Sequence, residues 1–353
     1  MHRGLHFLSE ASTDLYEAVR GKVAGFIGAA SGDEIVLTAG ATMSLNMIAR
    51  CWAEPRLQPG DEILISIAEH HANIVPWQMV AEKTGARVRA FMLEDDGAFS
   101  MDRFKAELSD RTRIIAVPHV SNVLGTVFPI PDIAAMARER DALMVVDGCQ
   151  GVVHMPVDVT ALGADFYVFS AHKLYGPNGV GVLWGRAEIL ADMPPFLGGG
   201  DMIDRVTIEK TTYAEPPVRF EAGTPAIAET IALGAAVDYV QSIGMEAIRA
   251  HEQQVLSYAH QRLSAVEGLN LIGTAAGKSG VVSFTMDCAH PHDISTIIDH
   301  DGVAIRAGHH CAQPLMDHLD LPSTARASVG IYTKLEDFDA LATSLEKVRR
   351  IFG

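Results

Sequence analysis

Lys173 is the residue whose position asks for chemistry. It follows the apolar run Phe166-Tyr-Val-Phe-Ser170 by three residues and precedes the turn Tyr175-Gly176-Pro177. The run reads as a buried strand, so the lysine falls at the carboxyl edge of a sheet, where open α/β folds place their ligands. Partial desolvation there lowers an amine's pKa and makes it a nucleophile toward an aldehyde. Taken alone, the same residue fits a surface loop lysine.

Other strand-like runs deliver polar residues at equivalent ends. Glu62–Ser66 leads to Glu69-His70-His71, and Arg113–Val117 leads to His119-Val-Ser-Asn122. Leu143–Val146 leads to Asp147-Gly-Cys-Gln150, and Glu34–Thr38 leads to Ala39-Gly-Ala-Thr42 before a helical run from Ser44. Individually, Thr42 fits a helix cap, His70 a locally bonded loop histidine, and Asp147 a cap or turn residue. Jointly, Thr42, His70, Asn122, Asp147, Gln150, Ser170, His172 and Lys173 suit pyridoxal 5′-phosphate (PLP). The lysine makes the Schiff base, an aspartate keeps the pyridine nitrogen protonated, and hydroxyls with a helix N-terminus take the phosphate.

A second polar cluster, Arg306-Ala-Gly-His309-His310-Cys311-Ala-Gln-Pro314, lies far along the chain. Its histidines and arginine favour a thiolate at Cys311, and the Gly, His and Pro residues describe a polar turn. A buried structural cysteine is the alternative. Adjacent residues rarely converge on one ion, so no metal site is expected. Arg326 has the fork geometry to grip a carboxylate, or to form an ordinary ion pair.

The alternation of strands with helical patterns, at residues 12–29, 131–140 and 226–243 among others, indicates a doubly wound, mostly parallel α/β sheet. Helical patterns from about 245 to 266 and 335 to 352, with strands at Val281–Met286 and Val303–Ala307, indicate a smaller second unit. The expected division is 1–235 and 236–353. A length of 353 residues with 48% hydrophobic and 20% charged residues suits a large folded core. A formal charge of −16 argues against a nucleic-acid groove or an anionic membrane surface as the main partner. Four scattered cysteines make no disulfide framework, no run spans a bilayer, and no signal-peptide core is present, so a cytoplasmic setting is expected.

These motifs together resemble the group II (SufS-like) cysteine desulfurases of the class V aminotransferase family. The resemblance is carried by Glu69–Trp77, His119–Thr126, Asp147–Gln150, Ser170–Pro177, Arg219–Pro225 and Arg306–Pro314. It implies the aspartate aminotransferase-like fold (fold type I) with a seven-stranded sheet and a homodimer. The implied reaction takes sulfur from L-cysteine, leaving alanine and a persulfide on the enzyme. By resemblance, Lys173 binds PLP covalently, His70 stacks on its ring, Asp147 pairs with the ring nitrogen and Gln150 contacts the ring hydroxyl. Thr42, Ser170 and His172 would bind phosphate, with Thr224 supplied by the neighbouring subunit. Asn122, Arg306, Arg326 and His2 would contact substrate, and Cys311 would take the sulfur. The short loop around Cys311 favours delivery to a SufE- or SufU-like acceptor protein, with iron–sulfur cluster assembly as the expected destination.

The sequence departs from that pattern in places. The family carries an additional amino-terminal segment lining the site, whereas this chain begins at its His2-Arg3-Gly4 stretch, with Met1 where Val is frequent. A natural start further upstream, at a valine codon, is therefore expected. Cys149 replaces a usual Ala or Ser against the second ring face, and Met43-Ser44 replaces a common Glu-Ala. Selenocysteine lyase activity, or an inactive homologue acting as a binding partner, are the competing expectations.

Overall fold

The computed structural model describes Gly4 and residues 6–353. Its main sheet contains β1 (Ile35–Thr38), β2 (Glu62–Ser66), β3 (Arg87–Phe91), β4 (Thr112–Pro118), β5 (Leu143–Asp147), β6 (Phe166–Ser170) and β7 (Gly181–Gly185). A hairpin of β8 (Ile203–Val206) and β9 (Thr211–Tyr213) follows. A second sheet contains β10 (Leu269–Ile272), β11 (Val281–Met286), β12 (Arg306–Gly308) and β13 (Thr324–Ser328). The first-half helices are α1 (Phe7–Ile27), α2 (Ala41–Met47), α3 (Val75–Thr84), α4 (Met101–Glu107), α5 (Ile130–Arg138), α6 (Gly151–His154), α7 (Val159–Leu162) and α8 (Ala187–Asp192). The remainder are α9 (Ile227–Ile243), α10 (Met245–Ser264), α11 (Pro291–Asp299), α12 (Gln313–His318) and α13 (Leu335–Phe352).

The seven-stranded sheet has the order β1-β7-β6-β5-β4-β2-β3. Strands β3, β2, β4, β5 and β6 pair in parallel; β7 runs against both neighbours. Strands β5, β6 and β7 are buried at every position, as expected of a sheet covered on both faces. Their polar ends therefore emerge along one line. The four-stranded sheet, order β10-β11-β13-β12, is antiparallel throughout.

Several boundaries differ from those expected. The first helix begins at Phe7, because the His6 side chain accepts from the Ser9 amide and caps it. Helix α2 begins at Ala41, three residues before Ser44, so Thr42 lies inside its first turn and Gly40 is the cap. The strand expected at residues 303–307 is β12 at Arg306–Gly308, set by its pairing with β13. The expected boundary near residue 236 falls within α9. The apolar cores divide further along, between Ile248 and Val255, and Ala312, Leu315 and Met316 join the first core.

Candidate active site

Strand ends place the first group of side chains. Asp147 closes β5 and is 7% exposed; its Oδ1 accepts from the Cys149 amide at 2.9 Å, leaving Oδ2 available. Ser170 closes β6, and its Oγ accepts from the Ala41 amide at 2.9 Å, tying that strand end to the start of α2. Lys173 is half-buried one short helical turn later. The turn behind it is fixed by the Leu174 and Gly176 amides, which both donate to the Ala171 carbonyl at 2.9 Å.

His70 is held by the loop after β2. Glu69 is wholly buried, and burial pushes its carboxyl well above the usual range. Its Oε1 lies 2.5 Å from Ser66 Oγ, its Oε2 accepts from Asn73 at 2.7 Å, and Trp77 donates to Asn73 at 3.0 Å. That chain fixes the backbone on which His70 sits. His70 Nδ1 accepts from the Ala72 amide at 3.0 Å, so a neutral ring carries its proton on Nε2. Burial depresses its pKa to about 4, opposed by Asp147 and assisted by Lys173, which places these three groups in one electrostatic neighbourhood.

The Cys311 loop closes over this edge. The His71 amide donates to the Cys311 carbonyl at 2.6 Å, and the Gln313 amide donates to His71 Nε2 at 3.0 Å. Asn122 Nδ2 donates to the His310 carbonyl at 2.8 Å. Both His310 and Cys311 occupy left-handed backbone, at φ 52° and 56°, a conformation that costs side-chain-bearing residues on the order of 1 kcal/mol each. The three bonds from the large sheet's loops hold that conformation. His310 departs from the expected polar turn: it is 2% exposed, with Nε2 3.0 Å from Thr324 Oγ1. The reason is local, since the left-handed turn directs its ring against β13 while Cys311 stays half-buried.

Two arginines face each other across β12 and β13, Arg306 opposite Arg326. Like charges paired across strands destabilise a sheet. Arg306 Nη2 approaches Cys311 Sγ at 3.8 Å. Arg326 donates to the Asn122 carbonyl at 2.7 Å, while its buried Nε has no partner among the described residues. Burial, then Arg306, lowers its pKa to about 10. A guanidinium with an unpartnered donor beside a second cation has the chemistry to receive an anion.

Other residues take positions that qualify the expectations. Gln150 opens α6 and directs Oε1 to His154 Nε2 at 3.2 Å. Thr42 and His172 are exposed. Thr224 is exposed on the loop before α9, where Glu221 is the anchor: it accepts from the Leu37 amide and from both terminal nitrogens of Arg20. His2 lies outside the described residues. His119, which opens the His119–Thr126 motif, is buried beside Asp147: its amide donates to the Asp147 carbonyl, and its Nδ1 lies 3.0 Å from Tyr167 Oη. A histidine immediately after a strand was the available signal.

The geometry accommodates PLP. Gly40 and Gly181 approach so closely that a Cβ on Gly181 would lie 2.4 Å from the Gly40 Cα. A Cβ on Gly40 (φ 147°) would project to 3.5 Å from Ser170 Oγ, into the space at the opening of α2. That bare-backbone cradle suits a phosphate, and Asp147 Oδ2 and Lys173 supply the other required groups.

A lysine, a buried aspartate and a glycine-lined helix start along the carboxyl edge of this sheet define the class of fold-type I PLP enzymes. The chain belongs to the class-V aminotransferase family, whose model matches residues 1–341. That family is PLP-dependent. The chain is 47% identical over 353 residues to a probable cysteine desulfurase of Halalkalibacterium halodurans, covering all of this chain and 87% of the relative. It is 48% identical over 354 residues to a cysteine desulfurase of Dickeya dadantii, covering all of this chain and 86% of the relative. The crystal structure of the Escherichia coli cysteine desulfurase CsdA, in an S-sulfonic acid form, superposes with a TM-score of 0.94. It is 38% identical, covering all of this chain and 88% of that one.

Proposed function

We propose that this chain is a PLP-dependent cysteine desulfurase, converting L-cysteine to L-alanine and carrying the sulfur on Cys311. The observation that carries the reading is the hydrogen-bonded closure of the Cys311 loop over the edge bearing His70, Asp147 and Lys173. A PLP enzyme acting only at Cα has no use for a cysteine held there.

Ser170, His172 and Thr42 would hold the phosphate at the start of α2, with Thr224 from a neighbouring subunit. Asp147 would pair with the ring nitrogen, His70 would cover one ring face and Gln150 would reach the ring hydroxyl. Bound PLP acts as an electron sink that acidifies the substrate Cα and makes cleavage of the Cβ–S bond feasible. Lys173 Nζ would hold the cofactor before substrate arrives and would then move the proton released from Cα. The Arg326 guanidinium and Asn122 orient the substrate carboxylate, with Arg306 alongside. Cys311 Sγ, beside the Arg306 guanidinium, takes the substrate sulfur. Thiol exchange then passes the sulfur to an acceptor thiol.

A homodimer agrees with the apolar side chains exposed on the β8–β9 hairpin, Val206, Ile208 and Tyr213. Only four residues separate β12 from α12, so Cys311 has little reach. This supports a SufE- or SufU-like acceptor that brings its own cysteine, with iron–sulfur assembly as the destination. Alanine and sulfide measured from L-cysteine with a reductant test the reading: equal yields are expected. A chain that binds PLP yet forms no alanine sinks it.

A further inference from the structure

Gln150 does not hang freely at the sheet edge. Its Oε1 lies 3.2 Å from His154 Nε2, and His154 Nδ1 lies 2.8 Å from Glu252 Oε2, a carboxylate carried on α10. His154 is 5% exposed and Glu252 is 1% exposed, and Glu252 Oε1 has no partner among the described residues. Gly280 walls the ring in, since a Cβ there would lie 2.4 Å from His154 Nε2.

We propose that His154 and Glu252 are positioning residues that set which end of the Gln150 amide is presented to the cofactor. The basis is geometric. Gln150 turns its carbonyl oxygen, an acceptor, toward His154 Nε2, so Nε2 donates. The ring is clamped by Glu252 Oε2 at Nδ1 and by the wall at Gly280. The Gln150 NH₂ is then left to donate to an oxygen of the bound ring. An unbacked glutamine would present either end. The partner carboxylate comes from α10, so the seating of that helix is linked to the cofactor through Glu252, His154 and Gln150.

This inference rests on the PLP reading, and its test separates the two. In the apo-protein, ¹⁵N NMR of His154 is expected to show a protonated Nε2; a bare Nε2 overturns the proposal whether or not PLP binds. PLP affinity and the cofactor absorbance band are then measured for Gln150→Leu, His154→Leu and Glu252→Gln. Gln150→Leu and His154→Leu are each expected to weaken PLP about tenfold and move the band, with no further loss when combined. Glu252→Gln is expected to move the band less. Wild-type affinity and band in His154→Leu and Glu252→Gln, or losses that add fully to that of Gln150→Leu, refute it. His154→Gln serves if His154→Leu does not fold. Failure of the unmodified chain to bind PLP would instead refute the proposed function.

Discussion

The two halves of the site are built in opposite ways. The edge that bears Asp147, Ser170 and Lys173 grows directly from fully buried parallel strands, and its polar atoms are tied down by backbone and hydroxyl partners at about 2.9 Å. The Cys311 loop leaves a short strand and turns through two left-handed residues; His310 Nδ1, like Arg326 Nε on β13, has no partner among the described residues. What fixes it comes from outside, through His71 and Asn122. The first region is anchored mainly by its own strand ends, whereas the second depends on contacts from other loops. A rigid platform suits holding a cofactor, whereas a strained, externally clasped loop suits a thiol that must both accept sulfur and give it up.

The largest effects should separate the two regions cleanly. Lys173→Ala is expected to abolish the visible cofactor band that borohydride bleaches, and to lower alanine formation by at least about 10³-fold. Cys311→Ala should leave that band and PLP affinity intact while sulfide release from cysteine disappears. Loss of the cofactor band in Cys311→Ala would mean that the loop belongs to the platform, and the contrast would collapse.

Next in size is Arg326. Lysine keeps the charge but lacks the planar fork, so Arg326→Lys is expected to lower kcat/KM for cysteine by about 10²-fold, mostly through KM, as a lost charge-assisted bond implies. An unchanged KM would remove Arg326 from carboxylate binding and leave it as a brace for Asn122.

Acid should weaken both regions. Burial holds His119 in the platform and His310 in the loop near pKa 4, against an ordinary value of 6.5. Between those values the unfolded chain binds more protons, so the stabilisation is complete above about pH 6.5 and is lost as pH falls through 4. Each site contributes on the order of 1–3 kcal/mol to that loss. Thermal midpoints recorded from pH 7 to pH 4 should fall, and His119→Gln or His310→Gln should flatten the descent. Parallel curves for wild type and both variants would rule these histidines out as its source.

How far the sequence discloses this arrangement follows the same division. Strands β5, β6 and β11 are legible because burial on both faces leaves an apolar run with sharp polar ends, and those ends name Asp147, Ser170 and Lys173. Strands β10 and β13 are short and mixed in composition; pairing defines them, and no local pattern announces them, whereas β12 is announced by the run Val303–Ala307 and shifted to Arg306–Gly308 by its pairing with β13. The burial of His310 is invisible for a related reason: the segment reads as polar, yet a left-handed turn carries the ring inward. Glu221 and the pair His154–Glu252 are equally hidden, since each acts through a partner at least 98 residues away or on another element.

The smallest effect tests the clasp itself. His71 contributes twice, through its amide to the Cys311 carbonyl and through Nε2 to the Gln313 amide. Its ring also lies 5.7 Å from that of His309. His71→Ala deletes only the side-chain contributions, leaving the backbone bond to Cys311 in place. The expected cost is about 1 kcal/mol, far below the effect at Lys173. If outside contacts hold the strained turn, that cost should appear at the loop: iodoacetamide should alkylate Cys311 several-fold faster, with PLP affinity and the cofactor band unchanged. If alkylation is unaltered and the cofactor band moves instead, His71 serves the platform through its neighbour His70, and the loop must derive its conformation from its own turn and from Asn122.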